Sequence, residues 1–450
     1  MHYASRRRRH LLSALILVAG AFALLLAPAS AGIAAAHATR AATDFAPQLR
    51  LGFHSGDDWE PALAADRYGH LYALYKHYDV AGGGTCAHCG LHLLVQRSSD
   101  GGRSWSAPVA IAPVAVTGGQ YDSQIAVDPV DGRTVWASFL QNSKSLIAVV
   151  KSTDFGATWS PIRIVSDRPP GLDKDSLVVR GQTIAVGYDD NFNTFASVSH
   201  DGGAHWTTQL IFPGSDRFNV PLSAGGGIDS RGDIFFSWDS FDKAHSQNGN
   251  GPVTLWVTKS SDGGADWTRT VIDVSGAPPP CANCGFAYLS AQMALRIGED
   301  DAIYLIWNGT PTLANFGPER IFFSRSTDRG QTYAPRRELS DAPQGVEHCF
   351  PALATGTEDG DVRVGWMDTR TGRWNLFARS SADGGQTWNA VTRVSSYVPG
   401  FSYLTPSGYG LPYGDYFQMV VDSAGVTQLV WGESSSYAGP GNIWTAHALA

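Results

Sequence analysis

The chain has 450 residues, 50 of them glycine and 24 proline, with 11% aromatics and a formal net charge of −8. Its acidic balance argues against nucleic acid or an anionic membrane surface as the main partner. Glycine and proline at this level, with so many aromatics, suit tight turns joining short strands around a large core.

The first 38 residues stand apart. Arg6 to Arg9 form a basic region, Leu11 to Leu26 an apolar one, and small-residue cleavage sites follow at Ala29-Ser30-Ala31 or Ala36-His37-Ala38. This is the pattern of a secretory signal peptide, and Arg8-Arg9-His10-Leu11-Leu12 also fits a loose twin-arginine signal. The expected location is secreted, periplasmic or at the cell surface. No other segment approaches the roughly 20 apolar residues a membrane span needs. Cleavage after Ala38 removes four arginines and no acid, which takes the formal charge from −8 to −12. Residues 39–450 would make two or three domains by length alone, but a repeat that runs almost to the C-terminus without a linker makes one domain the expectation.

Seven times an apolar strand ends in an aromatic followed at once by polar residues: Tyr75, Phe139, Tyr188, Trp238, Trp307, Trp366 and Trp431, spaced 49 to 69 residues apart. Ahead of each lies a first strand: 60–66, 121–128, 174–179, 290–296, 349–355 and 416–422, with the fourth copy, near 221–229, glycine-rich and blurred. A third strand, such as 91–97 or 375–380, leads into an octapeptide: SSDGGRSW from Ser98, STDFGATW from Ser152, SHDGGAHW from Ser199, SSDGGADW from Ser260, STDRGQTY from Ser326 and SADGGQTW from Ser381. A fourth strand closes the unit. Periods of this length mark repeat architectures, and no segment sustains a helical period. Four-stranded antiparallel units repeated radially are the blades of a propeller. Counting the aromatics predicts seven blades, with six blades plus an accessory hairpin as the alternative. The seventh unit ends at GNIWTAHALA without an octapeptide, and 45–53 (FAPQLRLGF) is expected to supply its missing strand and close the ring.

The octapeptide resembles the Asp-box, or bacterial neuraminidase repeat, of the sialidase superfamily, and the resemblance covers residues 45–450. It implies an all-β Asp-box β-propeller. In that family the box is a hairpin turn between third and fourth strands, on the face opposite the active site. Its Ser and Asp side chains cap backbone amides, and its last aromatic packs between blades. Gly102, Gly156, Gly203, Gly264, Gly330 and Gly385 are expected at positive φ. Six regularly spaced aspartates thus read as turn chemistry rather than as catalytic or calcium-binding groups.

In a propeller the first-strand starts and the second-to-third loops share the face around the mouth of the central channel. That face gathers Lys76, His77, Gln141, Asp189, Asp190, Asp239, Asn308, Asp368 and Glu433 after the aligned aromatics. At the first-strand starts it gathers Asp58, Glu60, Asp122, Asp173, Asp175, Glu347, His348, Asp415 and Tyr416, while the loop through Tyr403, Tyr409 and Tyr413 adds rings. Carboxylates and aromatics together suit a sugar, whose CH faces stack on rings and whose hydroxyls bridge to charged groups. The resemblance implies three Arg on a substrate carboxylate, a Tyr nucleophile activated by Glu, and an Asp acid/base, a recognised exception to the two-carboxylate scheme. The catalytic candidates are Tyr416, Glu347 and Asp122; the substrate-binding candidates are Arg168, Arg217, Arg370, Arg373, Asp58 and Asp415. The chain departs from the family before the first box. Where sialidases carry an Arg-Ile-Pro motif it reads APQLRLGFHSGDDWEP, with Arg50 alone, and no motif match assigns a Tyr–Glu pair. The competing reading of Asp368 and Arg370 is that they brace a loop.

Cys86-Ala-His-Cys89-Gly and Cys281-Ala-Asn-Cys284-Gly are near-duplicate motifs, and Cys349 follows His348. In an exported protein they read as two local disulfides, Cys86–Cys89 and Cys281–Cys284, with Cys349 free. The same spacing suits zinc, with His88 and His348 as further ligands. A redox role lacks the strand–helix setting, and Gly rather than His after each second Cys excludes haem attachment. The leading expectation is a secreted sialidase-like propeller that recognises glycans at the channel mouth, needs no cofactor, and has exo-sialidase-type hydrolysis left open. The alternative is a non-catalytic binding or scaffold propeller for protein or metal partners. Nothing in the sequence speaks to oligomeric state.

Overall fold

The computed structural model describes residues 44–52, 56–79, 92–112, 119–166, 172–190, 192–214, 218–242, 252–277, 291–313, 318–401, 404–436 and 440–449. The signal peptide expected over residues 1–38, both CxxCG motifs, Arg168, Arg217 and Tyr403 lie outside them. Among the described residues there is no helix; every regular element is a β-strand.

The strands form seven blades. Blade one is Asp57–Ala65, Leu71–Tyr78, His92–Ser98 and Val109–Ala110, paired in that order, and five further sheets repeat this four-stranded meander. Blade seven joins the two ends of the domain. Gln418–Val421, Thr427–Ser434 and Asn442–His447 come from the C-terminal end, and the outermost strand is Leu49–Arg50, with Leu49 opposite Thr445 and Arg50 opposite Trp444. A bridge between Phe45 and Ala448 extends the seam. The ring therefore closes as the 45–53 segment predicted, and the inner strand of blade seven touches that of blade one.

The core explains the aromatic repeat. Among the described residues, buried apolar side chains fall into seven clusters, each between two neighbouring blades. Every one of the seven aligned aromatics is fully buried, and each ring of this kind removes roughly 150–250 Å² from water. The residue two positions further on shares the aromatic's side of the strand. In two blades it accepts the indole N–H: Trp366 Nε1 donates to Asp368 Oδ2 at 2.9 Å, and Trp431 Nε1 to Glu433 Oε1 at 2.8 Å. These mouth acids are ties for buried indoles.

The octapeptides are turns between third and fourth strands, at the end of each blade away from the mouth. In the sixth, Ser381 Oγ donates to Asp383 Oδ1 (2.8 Å) and accepts from the Gly385 amide (2.8 Å). Asp383 accepts from the Thr387 amide (2.8 Å) and hydroxyl (2.6 Å), and Trp388 Nε1 donates to the Gly385 carbonyl (3.0 Å). Gly385 sits at φ 85°, and a Cβ there would lie 2.3 Å from the Phe323 ring. The other five expected glycines also have positive φ. The terminal aromatic packs between blades, as with Trp388 against the cluster of blades five and six. Burial works against the Asp383 charge, but the Thr387 hydroxyl and amide hold its carboxyl at about 2. Asp383→Ala should cost about 1 kcal/mol, the ordinary loss of a side-chain cap. Urea denaturation measures it, and ligand binding at the opposite face should not change.

Candidate functional site

At the mouth the inner strands are irregular. Pairing with the second strand slips between Trp59 and Ala62, Tyr121 and Gln124, Asp173 and Ser176, and Cys349 and Ala352. Within these bulges Glu60 (φ 49°), Asp122 (45°), Lys174 (36°) and Phe350 (49°) are left-handed. Non-glycine residues in this region cost on the order of 1–3 kcal/mol each and persist where the surroundings over-determine them, often at functional sites. Three of the four are charged, and they belong to one network.

Lys174 is its centre. Its Nζ lies 2.6 Å from Asp415 Oδ2 and 3.2 Å from Asp122 Oδ1, and 5.2 Å from the centre of the Tyr416 ring. Lys144 Nζ reaches Asp173 Oδ1 at 2.7 Å and Asp122 Oδ2 at 3.7 Å. Lys76 Nζ bonds Glu60 Oε2 at 2.6 Å and stands 5.1 and 5.0 Å from the Trp59 and Tyr121 rings. Burial opposes the charge on Asp122, yet Lys174, Lys144 and Lys76 hold its carboxyl well below the usual range. Burial pushes Glu60 the other way, up to about 7, against the pull of Lys76. Asp175 is buried too, and burial raises it well above an ordinary carboxyl despite the hydrogen bond it accepts from Ser138 Oγ.

Below this network runs the channel, a cavity of about 410 Å³ lined by the inner strands of all seven blades. Asp122, Lys174, Asp175, Asp415 and Tyr416 line its mouth end. Asp175 Oδ1, Asp415 Oδ1 and the Tyr416 hydroxyl are among the buried oxygens that have no hydrogen-bond partner among the described residues. The site thus offers hydrogen-bonding capacity beside a fixed array of charges.

The structure divides the candidates read from sequence. Tyr416, Asp122 and Asp415 come together; the charges that bear on the Tyr416 hydroxyl are those of Glu60, Asp122, Lys174 and Asp415, and burial pushes it well above its ordinary pKa. Glu347 stands elsewhere, in a second group between blades five and six, where it accepts the Glu319 amide at 3.0 Å. Burial pushes Glu347 up to about 8 and the neighbouring His348 down to about 4, so that group carries little charge. Cys349 beside it is buried and free. Arg370 is held by Asp368 (2.7 Å) and Asp341 (2.9 Å) over the Phe377 ring, the bracing arrangement. Arg373 is exposed, and Asp58 is fully buried against His77 at 2.9 Å. Tyr409 and Tyr413 do not present rings to the mouth: both are buried, Tyr409 in the core between blades six and seven, Tyr413 edge-on to Trp59 at 4.5 Å. The catalytic candidates omit Lys174, Lys144 and Asp175. Overlaying the blade copies aligns Lys174 with Glu60 and Asp122, which is the signal that marks it.

No family model matches the chain. Its fold is similar to that of an ulvan lyase of polysaccharide lyase family 25, with TM-score 0.53 and 9% identity over 88% of this chain and 95% of that one. A protein of unknown function from Dyadobacter fermentans gives 0.51 and 12% over 90% and 98%. The Hadza microbial sialidase Hz136 gives 0.50 and 16% over 88% of this chain and 66% of the sialidase. The fold is that of the sialidase-like β-propellers. By sequence the chain is 24% identical over 308 residues to xyloglucanase Xgh74A of Acetivibrio thermocellus, which is 61% of this chain and 33% of the xyloglucanase. The chain thus spans about a third of the length of that curated relative.

Proposed function

We propose that this chain is an exported glycoside hydrolase whose sugar site is the channel mouth around Asp122, Lys174, Asp175, Asp415 and Tyr416. The observation that carries this reading is the contrast between two carboxyls on one cavity wall. Burial raises Asp175, whose Oδ1 faces no protein partner, well above an ordinary carboxyl, while Lys174, Lys144 and Lys76 hold Asp122 below one. Environments that push two carboxyls apart assign their acid and charge-stabilising roles. Because Ser138 donates to Asp175 Oδ2, a proton carried by Asp175 belongs on Oδ1, the oxygen without a protein partner. As the glycosidic C–O bond breaks, Asp175 gives that proton to the departing oxygen and Asp122 stabilises the positive charge on the sugar. Water then adds to the anomeric carbon and its proton restores Asp175. The basic and apolar leader of residues 1–38, the octapeptides as Asp-boxes, and the glycan-acting names of the sialidase, the ulvan lyase and the xyloglucanase all support the reading.

Asp175→Asn should lower kcat/KM on unactivated sialosides, uronides or xyloglucan oligosaccharides by at least about 10²-fold. Dinitrophenyl glycosides, whose leaving group needs no proton, should lose far less. Equal losses on both substrate classes, or none, would sink the assignment. One observation favours a second reading, a glycan-binding module without turnover: Lys144 and Lys174 are each held between two carboxylates, and the Tyr416 hydroxyl is pushed up, away from a ready nucleophile. Binding on a glycan array that disappears in Asp122→Asn, with no turnover of any glycoside, would establish it.

A further inference from the structure

Deeper in the channel stands a cation with no acid beside it. Arg296 belongs to Met293–Ile297, the inner strand of blade five, and pairs with Tyr304, three residues before the aligned Trp307. The equivalent inner-strand positions in the other blades, set by the same three-residue offset from the aligned aromatic, are Ala64, Ala126, Val178, Gly227, Ala354 and Val420. All of them line the cavity, as Arg296 does. The channel therefore has a collar of small apolar residues broken by a single arginine. Asp175 lies one level nearer the mouth, three residues up its own strand from Val178, roughly 10 Å at strand rise.

The guanidinium is little engaged by the protein. Arg296 Nη1 donates to the Leu295 carbonyl at 2.8 Å, and among the described residues no carboxylate forms an ion pair with it. Burial alone bears on its pKa, pulling it down. Room is provided by the glycine run of blade four, the copy whose sequence pattern is blurred. Gly225 sits at φ 136°, and a Cβ there would stand 3.2 Å from Arg296 Nη1. A guanidinium withdrawn from bulk water calls for an anionic partner, and its planar fork fits two oxygens of an oxyanion at once.

We propose that Arg296 forms an oxyanion-binding site inside the channel, below the glycan site, that takes an oxyanion of sulfate or carboxylate type, either a free ion or the acid group of a bound saccharide. The site stands independently of the hydrolysis reading. Isothermal titration of the full-length mature protein at constant ionic strength tests it, with sodium sulfate, sodium glucuronate and glucose as probes. Wild type should show one saturable site for an oxyanion and none for glucose. Arg296→Met, which extends the apolar collar and is expected to fold, should lose that site, and Arg296→Lys, which keeps the charge without the fork, should weaken it at least about tenfold. Sulfate and glucuronate both binding would mean a free ion suffices; glucuronate alone would identify the acid group of a sugar. Saturable binding that survives in Arg296→Met, or none to wild type with either anion, would overturn the proposal.

Discussion

Replacing Lys174 by methionine should destabilise the protein by about 3–5 kcal/mol at pH 7, the usual cost of stranding buried charges by removing their partner. The ammonium is the common neighbour of Asp122 and Asp415, and the residue that carries it is left-handed. Asp415 would lose its ion-pair partner, and Asp122 the nearer of its two paired lysines. For a domain of this size that corresponds to a fall in Tm of about 5 °C, since unfolding entropy scales with length. Urea denaturation followed by tryptophan fluorescence measures it. Adding Asp122→Asn to Lys174→Met removes one stranded charge and should recover part of the loss. A Lys174→Met protein as stable as wild type would show that the network contributes nothing net.

The second large effect is a fall in stability as pH rises through neutrality. Glu433 is fully buried, with Oε1 accepting from Trp431 (2.8 Å) and Gln48 (3.0 Å) and Oε2 without a partner. Burial pushes it up to about 8; Glu347 also stands at about 8 and Glu60 at about 7. Between an ordinary glutamate pKa and these values the folded chain holds protons that the unfolded chain has released, so stability drops as pH rises over that window. His348, held at about 4, works in the opposite direction between about 4 and 6.5, where the unfolded chain binds the extra proton. The clearest decline should therefore lie between about pH 6.5 and 8. Glu433→Gln keeps the acceptor for Trp431 and Gln48 but never ionises. Its stability relative to wild type should grow by on the order of 4 kcal/mol between pH 5 and pH 8. Thermal unfolding at both pH values checks this, and parallel curves for the two proteins would refute it.

The aligned aromatics counted the blades correctly because each is the one large ring its blade must bury against a neighbour, so the requirement recurs with the repeat. The octapeptide turns were legible for a related reason: their hydrogen bonds close within eight residues. The mouth was legible only in outline. Asp122, Asp415 and Tyr416 could be assigned to one face from topology, but Lys174 looks in sequence like an ordinary solvated lysine between two acids. Tyr409 and Tyr413 looked like sugar-stacking rings, and the loop that carries them folds back through Gly408–Tyr409 and Leu411–Pro412 to bury them instead.

What the sequence determined by itself is everything governed by local periodicity: strands, turns, the number of blades, and the segment that closes the ring. Only the tertiary structure decided which charges form one network. Residues 60, 122, 174 and 415 lie on four different blades, and their meeting depends on the angle between blades and on bulges that turn three of them left-handed. The same holds for Arg296, an unremarkable residue in its own strand. Its isolation appears only when six other strands place small apolar side chains around it.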